Sequence, residues 1–416
     1  MIKIKVKEYR FVINIPIITF TVVLITNLYY LYLLDAHYDT VAGIVAQDFA
    51  LVLAMIWGGY YWFKMIKLPN PVFRYKKWML SFLALAFLSS FQANRLYGQS
   101  FILGFAPQRW VLIWALMYFP IRKMIHYNKI SAETLRNLLK IIGFLQLVLF
   151  ISQYFLKNAI TFLYVTEGYR NNAVRYYYSP VLLDFLFLLS LDSFNKEKGV
   201  KKIIAVVCAG LILFETMFVQ QFRLTTMGLI LVLGVFVVFV KNKVEIKMLY
   251  LVLGALVLGV LFNTPMVENV LNSVLTNTYD AGTKIRGVGR TLYLDTLLEH
   301  PLLGGGYPSD FYQPAIQAAG MNRRIYLYDN GIFGFMYMYG AIGIIWVVTL
   351  WRKIILDGLV IQKKYGELAY ILFPTFFIIT CINELHWYWE YGFVIFSLFL
   401  CLMESKIPAG NLYKKT

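Results

Sequence analysis

Residues 203–240 read IIAVVCAGLILFETMFVQQFRLTTMGLILVLGVFVVFV. Only Gln220, Gln221, Phe222 and Arg223 separate two apolar runs, 203–219 and 224–240. Runs of ~17–25 apolar residues are long enough to cross a bilayer core as helices. Backbone groups in lipid must be satisfied within the structure, so helix is the reading for both. A chain that places two such runs back to back is a polytopic membrane protein. Working outward, similar segments occupy 11–34, 41–63, 78–94, 104–121, 138–156, 178–194, 248–263, 329–350, 368–385 and 391–404. The expected fold is all-α, with about twelve transmembrane helices. The expectation is a single membrane domain over 1–416, with one large outer loop, 264–328, that carries short helices.

Composition agrees. Of 416 residues, 60% are hydrophobic and 15% charged, and the mean hydropathy is +0.63. A soluble domain is ~45–50% apolar. A soluble enzyme, a disordered chain and a nucleic-acid-binding module are excluded. The net charge of +17 lies between apolar segments, which points to topology and not to nucleic acid. Lys3, Lys5, Lys7 and Arg10 precede the run 11–34. That run is too long for a signal-peptide core and reads as an uncleaved first span. Cys208, Cys381 and Cys401 sit in apolar runs without a CxxC pair, so neither a disulfide framework nor a zinc site is expected.

The basic residues set the orientation. With the N-terminus inside, 28 bases fall on the inner side and 11 on the outer side. The positive-inside rule then puts both termini in the cytoplasm. The two sides also differ in kind: 23 Lys and 5 Arg inside, 2 Lys and 9 Arg outside. Topology is served by any positive charge. Arginine on the disfavoured side calls for another reason, and its planar fork binds phosphate or carboxylate bidentately.

In the outer loop, Pro265–Tyr279 has an apolar helical face and is expected along the membrane surface. Arg290–His300 reads as a second short helix, closed by Pro301 and then Gly304, Gly305 and Gly306. The three glycines suit a helix stop or a phosphate-cradling nest.

The stretch GRTLYLDTLLEHPLLGGGYPSDF (289–311), with Tyr328-Asp329-Asn330 and GAIG (340–343), resembles the O-antigen ligase and polymerase superfamily. In that family a Gly-Arg opens an outer-loop helix, and a His-Asn pair begins the next span, with a Gly-x-x-Gly following. Asp329 stands at the His position. Gln221-Phe222-Arg223 resembles the family's Ser-Arg before a span, and GYRNNAVRYYYSP (168–180) its earlier arginine-bearing loop. The resemblance implies a GT-C-like membrane glycosyltransferase in the bacterial cytoplasmic (inner) membrane. It would join undecaprenyl-pyrophosphate-linked repeat units into O-antigen, capsule or exopolysaccharide on the outer face. It implies no metal, cofactor or nucleotide sugar. The partners implied are the lipid-linked donor and acceptor glycans, membrane lipid, a chain-length regulator and a flippase, with no nucleic acid. The alternatives are a ligase that transfers the chain to lipid A-core, and a lipid-linked oligosaccharide flippase.

The catalytic candidates are Arg290, Arg223 and Asp329. Arg290 reads as a clamp or as a partner of Asp295 or Glu299. Arg223 reads as a clamp or as an interfacial snorkel, with Glu215 its expected partner. Asp329 reads as a base, a helix cap or an arginine partner. The binding candidates are Arg175, Arg170, Arg286, His300, Tyr328 and Asn330; His300 also suits a helix C-terminus. Asp48, Asp184 and Glu384 are acids within spans, where acids default to functional readings. His386–Tyr391 reads as an interfacial aromatic belt or a sugar-stacking surface.

Overall fold

The computed structural model describes residues 2–6, 9–170, 173–240, 281–388 and 390–407; side chains of 2–13, 169, 170, 173, 281, 283 and 390 are outside the description. The expected span 248–263 and the surface helix Pro265–Tyr279 lie outside the described residues.

The chain is mostly helical. Four helical stretches are long and apolar enough to cross a membrane: Phe101–His126, Ala132–Leu156, Val200–Val219 and Tyr328–Tyr365. Shorter apolar helices are Ile15–Asn27, Arg223–Phe239 and Ala369–Thr380. The helix Glu390–Lys406 is the centre of the bundle, and every side chain from Phe393 to Met403 is at most 2% exposed. An apolar helix with no polar face packs in a core. Around it stand Arg109–His126, Ala132–Leu156, Val181–Lys196 and Gly331–Tyr365. Large apolar side chains project outward from the periphery, among them Ile56, Phe63, Ile203 and Val238, each more than 60% exposed.

The helical fold agrees with the all-α expectation, and three short hairpins accompany it. Antiparallel hairpins pair Ile2–Val6 with Tyr9–Ile13, Thr40–Val41 with Ile44–Val45, and Thr166–Arg170 with Ala173–Tyr177. The N-terminal segment 11–34 is therefore not one helix. Strand runs to Ile13, and Asn14 then caps a helix of 13 residues, with Pro16 in its first turn. The helix stops at Asn27. Tyr29–Tyr32 forms a turn of the opposite hand, with φ of 52°, 53°, 56° and 63°. Left-handed backbone costs L-residues roughly 1–2 kcal/mol each, so contacts from elsewhere must hold this turn.

The loop helix also differs from expectation. It spans Ala281–Glu299, so Arg290 lies within it and does not open it. Gly287 and Gly289 resemble breakers in sequence but are helical. Gly289 is kept small by packing: a Cβ there would meet Ile325 and Asn330 at 2.6–3.0 Å.

The glycine run 304–306 joins this loop to the bundle. The helix Gly331–Tyr365 is broken at Gly340 (φ 60°, ψ −159°). The break frees backbone groups, and the segment after the loop helix takes them up. Gly305 N–H donates to the Tyr337 carbonyl at 2.8 Å; Ala341 and Ile342 N–H donate to the carbonyls of Pro301 and Leu302 at 2.9 and 3.3 Å. A Cβ at Gly304 would sit 2.3 Å from the Tyr337 carbonyl oxygen, and one at Gly340 would sit 2.3 Å from that of Leu302. The run is a backbone seam against a broken helix.

Candidate functional site

At one end of the bundle lies a cavity of about 1480 Å³. Its walls come from 29–37, 107–111, 164–179, 222–227, 282–329 and 383–391. These are outer connections, as the Lys/Arg distribution assigns them, together with the adjoining ends of expected spans.

Three of the expected arginines line it together: Arg175, Arg223 and Arg286. Each is positioned differently. Arg175 stands in the second strand of the 166–177 hairpin, opposite Gly168. Its guanidinium lies over the Tyr177 ring at 4.0 Å and faces Phe222 at 5.2 Å. Arg223 is the first residue of the helix that follows a sharp break. Residues 215–219 form a π turn, and Gln221 has φ 55°. Arg286 projects from the loop helix and is close enough to act electrostatically on Asp329 and Glu384.

Asp329 and Tyr328 line the same cavity. Asp329 belongs to a 3-10 turn, Tyr328–Asn330. The helix-cap reading is corrected: Asn330 occupies the N-cap position of the next helix, and no side chain caps it. The Asn330 amide turns back to donate to the Tyr326 carbonyl at 2.8 Å. Asn330 is buried and does not line the cavity.

The other candidates lie elsewhere. Arg290 hydrogen-bonds Asn383 and faces the Phe333 ring at 5.5 Å. Its expected pairing with Asp295 or Glu299 is not what the structure holds. Burial, and then Arg286 nearby, pull its pKa below the ordinary arginine value. Arg290 thus fastens the loop helix to the turn that carries Glu384. His300 directly follows the loop helix, where its carbonyl accepts from Gly304 N–H at 2.8 Å. Neither residue lines the cavity. The backbone of Arg170 ends the first hairpin strand, and its side chain is not described. Glu215 is fully buried with its Oε1 unpartnered, and its Oε2 accepts from Thr216 at 3.4 Å, so it is not the partner expected for Arg223.

Two features escaped the sequence reading. The first is His386 with Glu384, where Nε2 meets the Glu384 carboxylate at 2.9 Å. Asp184, also buried, lies 4.0 Å from Nδ1. Burial pulls the His386 imidazole down, but Glu384, Asp184 and Asp329 outweigh it, and its pKa rises above 6.5. The aromatic-belt reading of this turn is corrected. His386, Trp387 and Tyr388 are each at most 2% exposed, and Trp387 packs 5.4 Å from Trp351. The turn dips into the bundle instead of resting at an interface. A single histidine among aromatics gave no signal of that. The second is Arg109, read as part of a span. It lines the cavity and pairs with Asp48 at 2.8 Å.

Chemically, the site offers guanidinium groups for an anion, a carboxylate beside them and a buried, hydrogen-bonded His–Glu pair. Among the described residues no group of three or more His, Cys, Asp or Glu side chains could hold a metal ion. No family model, curated protein or solved structure matches this chain.

Proposed function

We propose that this chain is a polytopic membrane glycosyltransferase of about twelve spans, with both termini in the cytoplasm of a bacterium. It polymerises oligosaccharide repeat units carried on undecaprenyl pyrophosphate, at the outer face of the cytoplasmic membrane. A GT-C-like architecture, a flippase that supplies the donor and a chain-length regulator belong to the same reading.

The observation that carries it is convergence. Arg175, Arg223 and Arg286 come from three separate segments to one cavity that also holds Asp329. An incoming sugar hydroxyl attacks the anomeric carbon of the lipid-linked chain. The new glycosidic bond forms as the bond to pyrophosphate breaks, and the electron pair leaves with the lipid pyrophosphate. The guanidinium groups stabilise the charge that develops there. The Asp329 carboxylate accepts the hydroxyl proton. A flippase needs charged residues along a central path between related halves; here the arginines gather at one end.

The test is direct. The purified full chain, given lipid-pyrophosphate-linked repeat units in EDTA, should extend them into a ladder. Asp329→Asn should remain folded and lose roughly 10²–10⁴-fold in rate. A folded wild-type protein that never extends such a donor would overturn the reading.

A further inference from the structure

A second group of residues lines the same cavity, and the mechanism above does not use it. Its base is the left-handed turn. Four successive non-glycine residues adopt a conformation that L-residues avoid, and outside contacts hold them there. The Tyr30 hydroxyl donates to the Ala46 carbonyl at 2.9 Å. Tyr164 N–H donates to the Tyr32 carbonyl at 2.8 Å, and Ser179 N–H donates to the Tyr32 hydroxyl at 3.2 Å. Strain maintained this way clusters at ligand clamps and active sites. The turn puts both Tyr29 and Tyr32 on the cavity wall.

Aromatic rings extend that wall. Tyr29 lies 5.8 Å from Trp110 and meets Tyr391 edge-on at 4.7 Å; Tyr32 lies 5.8 Å from Tyr178. Polar atoms among these rings lack partners: the hydroxyls of Tyr29, Tyr178 and Ser179, and the indole Nε1 of Trp110. All four residues line the cavity and are at least nine-tenths buried. Buried polar atoms are normally hydrogen-bonded, and the fold leaves these four unsatisfied in residues that line the cavity. All four groups are neutral.

Charge decides the class of partner. Ring faces carry negative potential and disfavour anions. On this wall Arg109 is paired with Asp48, and Asp35 accepts from the amides of its own turn, His37 and Tyr38. A pyranose ring has the complementary chemistry, with a flat C–H face for aromatic rings and hydroxyls that both donate and accept. We infer that the wall formed by Tyr29, Tyr32, Trp110, Tyr178, Ser179 and Tyr391 is a binding subsite for uncharged sugar rings. Assigning those rings to the acceptor glycan rests on the polymerase reading; the binding itself does not.

The test uses detergent-purified full-length protein and saturation-transfer NMR with maltotriose, cellotriose and chitotriose, and with trigalacturonate as the charged control. At least one neutral trisaccharide should receive transfer at its ring C–H protons, and trigalacturonate should not. Tyr29→Leu should weaken that binding about tenfold. Tyr178→Phe and Ser179→Ala keep the packing and should weaken it about fivefold each. Arg223→Ala should leave it unchanged. Absence of transfer from all three neutral sugars overturns the inference. So does transfer that survives Tyr178→Phe combined with Ser179→Ala, or that Arg223→Ala abolishes. The two readings fail separately: polymerisation without saccharide binding removes this subsite, and saccharide binding without polymerisation removes the polymerase.

Discussion

The two ends of the helix bundle treat charge in opposite ways. At the end assigned to the cytoplasm, buried acids meet bases. Asp192 pairs with Arg136, Glu367 with Lys196 at 2.8 Å, Asp357 with Lys353 at 2.6 Å, and Glu404 with Arg122 at 3.4 Å. Asp192, Asp357 and Glu404 are at most 1% exposed. At the other end three arginines and Asp329 surround open space, and neutral polar atoms are left without partners. Charges at the first end are matched within the fold, so they hold helices together. At the second end the neutral hydroxyls of Tyr29, Tyr178 and Ser179 and the indole of Trp110 are left unsatisfied beside the cavity. Local electrostatics therefore separates bases paired with buried acids from arginines that line the cavity.

That contrast can be broken experimentally, and the largest effect belongs to the matched end. Arg136→Leu leaves Asp192 buried without its nearest partner and should cost about 3–5 kcal/mol. Thermal unfolding in detergent would measure this, and an unchanged midpoint would erase the distinction. At the open end, Arg286→Ala should slow chain extension roughly 10²–10³-fold while the unfolding midpoint stays put. Arg286→Lys should be nearly as poor, because an ammonium lacks the two-pronged contact. A large loss of stability in Arg286→Ala would make it a structural residue like Arg136.

A smaller effect should come from His386. Its folded-state pKa is raised, so folding favours the protonated ring. That contribution is fully present below the unfolded value of about 6.5 and is lost as pH rises through the folded value. The unfolding midpoint should therefore fall over that window, and Glu384→Gln should flatten the profile. A pH-independent midpoint in wild type would remove the charged pair. The smallest effect is expected at Arg109–Asp48, whose side chains are 39% and 46% exposed. Asp48→Asn should change stability by less than about 1 kcal/mol.

Much of this was legible in the sequence, and what was not has physical causes. Apolar periodicity locates helices, because burial and lipid both select for it. The described helices overlap eleven of the expected segments. Charge type pointed to Arg175, Arg223 and Arg286, because arginine on the outer side has no topological use. Arg290 looked equivalent, but whether a side chain turns toward a cavity or toward Asn383 depends on tertiary packing. The run YYLY at 29–32 has no glycine or proline, so nothing local announces a left-handed turn; its hand is imposed by Ala46, Tyr164 and Ser179. The His386–Glu384 pair was hidden because aromatic residues near a span end are normally interfacial.

The break at Gly340 bears on how the protein is made. The helix Gly331–Tyr365 cannot satisfy its own backbone at that point, and residues 301–305 supply the missing partners. Synthesis runs from the N-terminus, so that segment exists before the helix it completes. Until the two meet, the nascent helix carries unsatisfied backbone groups that hydrocarbon does not tolerate. Membrane insertion of this helix and docking of the preceding loop must therefore be one coupled event. A lesion in the seam, such as Gly304→Val, should appear first as a failure of biogenesis, with the newly made chain degraded before any catalytic defect can be seen.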